Sequence, residues 1–199
     1  MNPKDYFNNV AETWDERFFT SNLSKFLEKF IPQFGLTSGQ HVLDVGTGTG
    51  VIIPFLIKAI GPEGSVTAID YSEKMVQICK TKHSQFKNVT VHVGNIEEQN
   101  FTAETFDAVV CFGVFPHLEN KQKALRNISK VLKSSGKLII AHAMSSEELK
   151  THHEKVSTLV RHAILLPETE MKKLLQQMGF TNISIKDETG MYLCIANKT

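Results

Sequence analysis

His41-Val-Leu-Asp-Val-Gly-Thr-Gly-Thr-Gly50 is an apolar, partly β-branched run that breaks into three alternating glycines. Val42, Leu43 and Val45 suit a buried strand, and Gly46, Gly48 and Gly50 suit a tight turn at its end. Val51-Ile-Ile-Pro-Phe-Leu-Ile-Lys-Ala-Ile60 then predicts an apolar helix, with Pro54 early enough to be tolerated in the first turn. Strand, glycine loop and helix together bring free backbone N–H groups close to a ligand. A dinucleotide site asks for glycine at the sixth position of the loop; counted from Gly46 that position is Val51, and from Gly48 it is Ile53. Asp44, two residues before the first glycine, would also repel a diphosphate. Spacing and charge both favour a ligand that carries positive charge.

S-adenosylmethionine, with its sulfonium and ammonium groups, is such a ligand, and Asp44-x-Gly46-x-Gly48-x-Gly50 resembles the first motif of the class I methyltransferases that bind it. The resemblance implies cofactor contacts from Asp44, Gly46, Thr47, Gly48 and Gly50. Gly64-Ser-Val-Thr-Ala-Ile-Asp70 reads as the next strand, ending in an acid about twenty residues beyond the last glycine, where ribose hydroxyls are held in both nucleotide-binding families. The plainer role for this corner is helix capping, and Ser72 before Glu73-Lys-Met75 suits it. On the resemblance, Tyr71, Ser72 and Met75 lie beside the ribose and adenine. Val89-Thr-Val-His-Val93 is the third strand. Asn95 stands where the family has an acid that accepts from the adenine amine; its amide oxygen can still accept, and Ile96 would offer an apolar surface to the base.

The chain of 199 residues is long enough for one well-buried domain, and its 22 basic against 21 acidic residues give a net charge of +1. That balance provides no general field towards nucleic acid or an acidic membrane. Cys79, Cys111 and Cys194 contain no Cys-x-x-Cys pair and point to reduced thiols in the cytoplasm. The opening residues lack a signal-peptide core, and no apolar run approaches ~18 residues.

Near the N-terminus, Phe7, Trp14 and Phe18 recur at helical spacing and make an aromatic face. This face either packs on the sheet edge or lids the ligand. Tyr6-Phe-Asn-Asn-Val-Ala-Glu-Thr-Trp-Asp15 is similar to the opening of small-molecule methyltransferases related to the quinone-biosynthesis enzymes. That similarity implies a helical lid over residues 1–35, with Tyr6, Trp14 and Asp15 bordering the pocket. Leu23–Ile31 predicts an amphipathic helix ended by Pro32, and Ser72–His83 predicts another.

Phe106-Asp-Ala-Val-Val-Cys-Phe-Gly113 is the fourth strand. Ligands of such sheets collect beyond the carboxyl ends of the strands, so Cys111, Phe112 and Gly113 are expected on the cofactor side. His117 follows in the next loop. Asn120–Leu132 predicts a helix, Lys133-Ser-Ser-Gly136 resembles the family's turn before the fifth strand, and Lys137-Leu-Ile-Ile-Ala-His-Ala143 is that strand. His142 closes it. Ser145-Ser-Glu-Glu148 has the form of a capping box opening a helix with His152 and His153, and His162 lies beyond. Adjacent helical residues point about 100° apart, so only one of His152 and His153 can face a pocket squarely; His152 is assigned to it. His142 and one of that pair, with Cys111 or His117, could hold a metal or a soft, ionisable acceptor, but the spacing matches no short metal motif, and no metal is expected. Leu166–Met178 predicts a final helix, and Asn182–Asp187 with Met191–Ala196 predicts a terminal hairpin.

These features imply a single domain over residues 1–199, with an α/β Rossmann-like doubly wound sheet. It has seven strands, mostly parallel, a terminal antiparallel hairpin and helices on both faces. The implied activity is methyl transfer from S-adenosylmethionine to a small-molecule acceptor, driven mainly by alignment and desolvation. His117 and His142 are the candidate bases, and His152 joins them, Tyr6 and Trp14 around the acceptor. The glycine loop and the paired acids would equally suit a module that binds the cofactor without turnover. The sequence says nothing of oligomeric state.

Overall fold

The computed structural model describes residues 3–98, 101–156 and 163–199. The chain divides into two units, residues 1–95 and 96–199. In the first, helices α1 (Pro3–Val10), α2 (Trp14–Phe18) and α3 (Ser21–Phe30) precede strand β1 (His41–Val45). Then come α4 (Ile53–Ile60), β2 (Ser65–Asp70), α5 (Glu73–Lys82) and β3 (Val89–Val93). The second holds β4 (Phe106–Phe112), α6 (Lys121–Val131), β5 (Leu132–His142), α7 (Ser146–Val156), α8 (Glu168–Gln177), β6 (Phe180–Glu188) and β7 (Met191–Lys198). The strand order is β3-β2-β1-β4-β5-β7-β6 in a seven-stranded sheet.

Within the first unit β1 pairs parallel with β2, Asp44 opposite Ala68, and β2 pairs parallel with β3. Val42, Leu43, Val66 and Ala68 are fully buried or nearly so, as expected of parallel strands covered by α4 and α5. Ser72 caps α5, its hydroxyl accepting from Met75 N at 3.2 Å, and Thr20 caps α3 in the same way. Helix α4 starts at Ile53 rather than Val51, because the loop closes first through short-range bonds, Gly50 N to Thr47 O and Ile53 N to Gly50 O.

Within the second unit β4 pairs parallel with β5, and β7 pairs antiparallel with both β5 and β6, which is the expected terminal hairpin. Strand β5 is longer than the sequence suggests. It begins at Leu132, and the register jumps from Phe106–Leu132 to Ala108–Lys137, so Ser134–Gly136 bulges from the pairing with Ser135 at φ 62°. The residues expected as a separate turn are therefore a bulge inside a strand. Helix α7 opens with the capping box complete: Glu148 N donates to Ser145 Oγ and Ser145 N to Glu148 Oε2. His162 lies outside the described residues.

The turn after β1 bears its strain at Gly50. Its φ is +82°, and a Cβ there would meet His83 Cδ2 and Nε2 at 2.5 Å and Cys79 Sγ at 2.8 Å. Gly39 has a similar φ of +83° but open space around it. Gly39→Ala should thus cost only the backbone penalty of about 1–3 kcal/mol, whereas Gly50→Ala should cost that and the clash besides. Urea unfolding of both variants, and of Gly50→Ala combined with His83→Ala, checks this. The second change should recover part of the Gly50→Ala loss, and equal losses for the two alanine variants would contradict the packing described.

Candidate functional site

Asp44 is 1% exposed at the end of β1, and its Oδ2 has no hydrogen-bond partner. Burial pushes its carboxyl up from 3.8 to about 7; the nearby Thr47 hydroxyl opposes the rise and the Asp70 charge adds to it. Thr47 is itself buried, and its Oγ1 lacks hydrogen-bond geometry to any described partner. Orphaned acceptors of this kind are costly, and in native proteins they mark places where a ligand, ion or water completes the bonding.

Asp70 ends β2 and ties the corner together. Its Oδ2 accepts from Gly48 N and its Oδ1 from Ser72 N, each at 2.9 Å. Burial raises its carboxyl, and these N–H groups, with that of Tyr71, act in the opposite direction. Each carboxylate oxygen has more than one acceptor direction, so the structural role leaves room for a ligand hydroxyl. Gly46 N and Thr47 N both donate to Ile69 O, which pins the loop to β2.

The N-terminal helices meet this loop from residues far away in sequence. Asn8 Oδ1 accepts from Ser72 Oγ at 2.7 Å and from Lys74 N at 3.2 Å, sharing the cap of α5. Thr49 Oγ1 donates to Asp15 Oδ1, and Lys82 pairs with Asp15 Oδ2. Trp14 Nε1 lies 4.0 Å from the point where a Cβ on Gly48 would stand. The aromatic face exists: Tyr6, Phe7, Trp14 and Phe18 form consecutive ring contacts, and Phe7 also meets Tyr71. Met75, at 1% exposure, is held in the core of its unit, and Asn95 is half-buried just after β3.

In the second unit, Gly113 N donates to Ala141 O at 2.9 Å, so the carboxyl ends of β4 and β5 lie side by side. Phe112 and Gly113 are half-buried there, while the Cys111 and Ile96 side chains are buried. His142 at the end of β5 is buried with Nε2 unpartnered. Burial and the neighbouring His117 and His153 push it down to about 3, and burial, His153 and Lys121 push His117 down to about 4. His117 and His153 have ring centroids 5.0 Å apart. The buried member of the α7 pair is His153, whose Nδ1 hydrogen-bonds Ala163 O; His152 is half-buried, its ring 5.9 Å from that of His153. Among the described residues no three His, Cys, Asp or Glu side chains are arranged to hold a metal ion. Glu97, unremarked in the sequence, anchors the loop after β4 by accepting from Glu119 N and Asn120 N.

A methyltransferase domain profile matches residues 36–188. The chain belongs to the methyltransferase domain family. A demethylmenaquinone methyltransferase of Staphylococcus aureus is 25% identical over 92% of this chain and 87% of that protein. An S-adenosylmethionine-dependent methyltransferase of Aquifex aeolicus superposes with a TM-score of 0.72 at 28% identity, covering 87% of this chain and 89% of the other. The Haemonchus contortus phosphoethanolamine N-methyltransferase 2, in complex with S-adenosylmethionine, shares the fold at 17% identity (TM-score 0.72, 87% of this chain and 52% of that one). The chain is a class I S-adenosylmethionine-dependent methyltransferase with the Rossmann-like sheet of that class. No helix among the described residues is long and apolar enough to cross a membrane.

The residues of the first unit fit the cofactor: two buried carboxyls, one with an orphaned oxygen, suit cationic and hydroxyl groups, and the glycines leave backbone free to approach. The burial of this acid pair has a stability consequence. Because Asp44 is raised in the folded protein, its protonated form stabilises the fold below about pH 4, and that contribution is lost as pH rises towards 7. Asp44→Asn should therefore melt higher than the native enzyme at pH 8, with the gap closing by pH 4. A pH-independent gap in thermal melts would show that Asp44 is not a buried, ionising group.

Proposed function

We propose that this methyltransferase passes a methyl group to a small-molecule acceptor. The observation that carries the cofactor half is the orphaned Asp44 oxygen beside the loop that Asp70 holds through Gly48. Asp44, Gly46, Thr47, Gly48, Gly50, Asp70, Tyr71, Ser72, Met75, Asn95, Ile96, Cys111, Phe112 and Gly113 form the cofactor contacts in this reading. When bound, S-adenosylmethionine supplies an electrophilic methyl on a sulfonium. The chain's own part is to align the acceptor and exclude water, which methyl transfer needs more than a dedicated acid or base. His117 and His142, the candidate bases, are held neutral at physiological pH by burial, which favours hydrogen bonding to the acceptor over uptake of its proton.

Residues 1–35 act as a lid over the glycine loop, with Tyr6, Trp14 and Asp15 at its inner edge. The Asp15–Thr49 and Asn8–Ser72 bonds and the Trp14 approach to Gly48 support this. The acceptor site draws on aromatic and imidazole groups rather than a basic groove, which suits a metabolite better than nucleic acid. The name of the Staphylococcus aureus relative points the same way, towards a quinone-like acceptor. The three buried cysteines form no disulfide and suit a reducing, cytoplasmic setting; in this reading all of residues 1–199 serve one catalytic domain.

Incubation with S-adenosylmethionine and a panel of small acceptors should release S-adenosylhomocysteine with at least one of them. Asp70→Ala should weaken cofactor binding at least about tenfold in calorimetry, through loss of a charge-assisted hydrogen bond of about 1.5–3 kcal/mol. Tight cofactor binding with no release across the panel would favour a binding module, and unchanged affinity in Asp70→Ala would remove that residue from the site.

A further inference from the structure

Gly50 joins the glycine loop to helix α4, and backbone bonds fix it on both sides: its N–H donates to Thr47 O at 2.9 Å and its carbonyl accepts from Ile53 N at 3.1 Å. The turn from Thr47 to Thr49 is thereby tied to the height of Gly50. Asp70 holds that turn through Gly48 N, and Ile69 O holds Gly46 N and Thr47 N. Beneath Gly50 the support comes from the far end of α5 instead. The Cδ2–Nε2 edge of His83 and the sulfur of Cys79 stand so close that a Cβ on Gly50 would overlap both.

Packing alone does not account for a histidine at this place. His83 is 4% exposed, and neither ring nitrogen has a hydrogen-bond partner. An apolar side chain would fill the space without that cost. What the ring offers is a thin, rigid edge in a fixed position. The His83 backbone N–H donates to Cys79 O at 3.0 Å and its carbonyl accepts from Phe86 N at 3.1 Å, while the Phe86 ring lies 24° from parallel to the imidazole with centroids 6.0 Å apart. Burial and the Lys82 charge hold the ring below its ordinary pKa, and backbone groups of Thr49 and Gly50 act the other way, which puts the imidazole against the loop's own peptides.

We infer that His83 is a positioning residue for cofactor binding: its ring edge sets the height of Gly50, and through Gly50 the shape of the Thr47–Thr49 turn. The inference rests on the reading of the glycine loop as the cofactor site and adds a residue that acts on it from behind. With the ring removed, Gly50 has room to sink and the turn gains conformations that the cofactor must then select against. The contact is one of shape, so it holds for either tautomer of the imidazole.

The test is calorimetric titration of the full-length enzyme with S-adenosylmethionine, beside thermal melts of each variant. His83→Ala should weaken binding about tenfold, equivalent to the ordering cost of roughly one backbone residue, and should speed amide exchange at Gly50 in the cofactor-free protein. His83→Gln and His83→Asn both bury a neutral amide and so carry similar desolvation costs, but only Gln reaches the position of Nε2. The Gln variant should therefore bind within about threefold of the native enzyme and the Asn variant should stay close to His83→Ala, although the two melt alike. This pair decides the matter even if the alanine variant folds poorly. Equal affinities for Gln and Asn, or affinities that simply follow melting temperature, overturn the inference. If the native enzyme binds S-adenosylmethionine but Asp70→Ala binds it equally well, the glycine loop is not the cofactor site, and that reading falls together with the role of His83.

Discussion

The carboxylate of Asp70 is the tie on which the glycine loop and the start of α5 depend. One oxygen fixes the glycine loop through Gly48 N, the other fixes the start of α5 through Ser72 N. A charge-assisted bond to a backbone amide is stronger than a neutral one, and here two of them converge on a single buried group. Asp70 acts together with the bonds from Gly46 N and Thr47 N to Ile69 O, in a loop whose Gly46, Gly48 and Gly50 all lie at positive φ, outside regular helix or strand. Asn8 extends the tie to α1 by sharing the same helix cap, so ordering of α1 and ordering of the loop draw on one set of donors.

Against this stands the cost of Asp44. A carboxyl at 1% exposure with an orphaned oxygen is held protonated over part of the neutral range, and its neighbour Asp70 makes ionisation harder. A cationic ligand reverses that balance by giving the ionised form a partner. Perturbed carboxyls of this kind are common at functional sites. The histidine cluster of the second unit follows a similar logic with the opposite sign of charge: burial forbids the cationic form and leaves lone pairs as the available chemistry.

Much of this was legible because it depends on local pattern. Alternating glycines after an apolar run announce a positive-φ loop, and Ser145 with Glu148 announces a cap, each found where the pattern puts it; the Phe7, Trp14 and Phe18 spacing announces the aromatic contacts but not the 3-10 turn, Ala11–Thr13, that splits the expected helical face between α1 and α2. What escaped reading depends on distance and phase. His83 supports Gly50 from beneath only because α5 packs under the loop, and nothing local to His83 signals it. Asn8 and Ser72 are 64 residues apart, and a polar residue in a polar helix gives no hint of its partner. Of His152 and His153 the sequence reading assigns His152 to the pocket, but both neighbours of the pair are polar and the phase of α7 is set by its docking; the structure buries His153 instead. The bulge in β5 was read as a turn because Ser-Ser-Gly supports either, and only pairing with β4 distinguishes them.

In the proposed cofactor site a cation meets a carboxyl, Asp44, that is partly protonated without it. The most direct measurement is calorimetric titration of S-adenosylmethionine at pH 6 and pH 8 in buffers of different ionisation enthalpy, which counts protons exchanged on binding. Saturable binding with release of close to one proton at pH 6 and little at pH 8, the difference vanishing in Asp44→Asn, is the predicted result. Absence of saturable binding, or binding at pH 6 with no proton released, would contradict it.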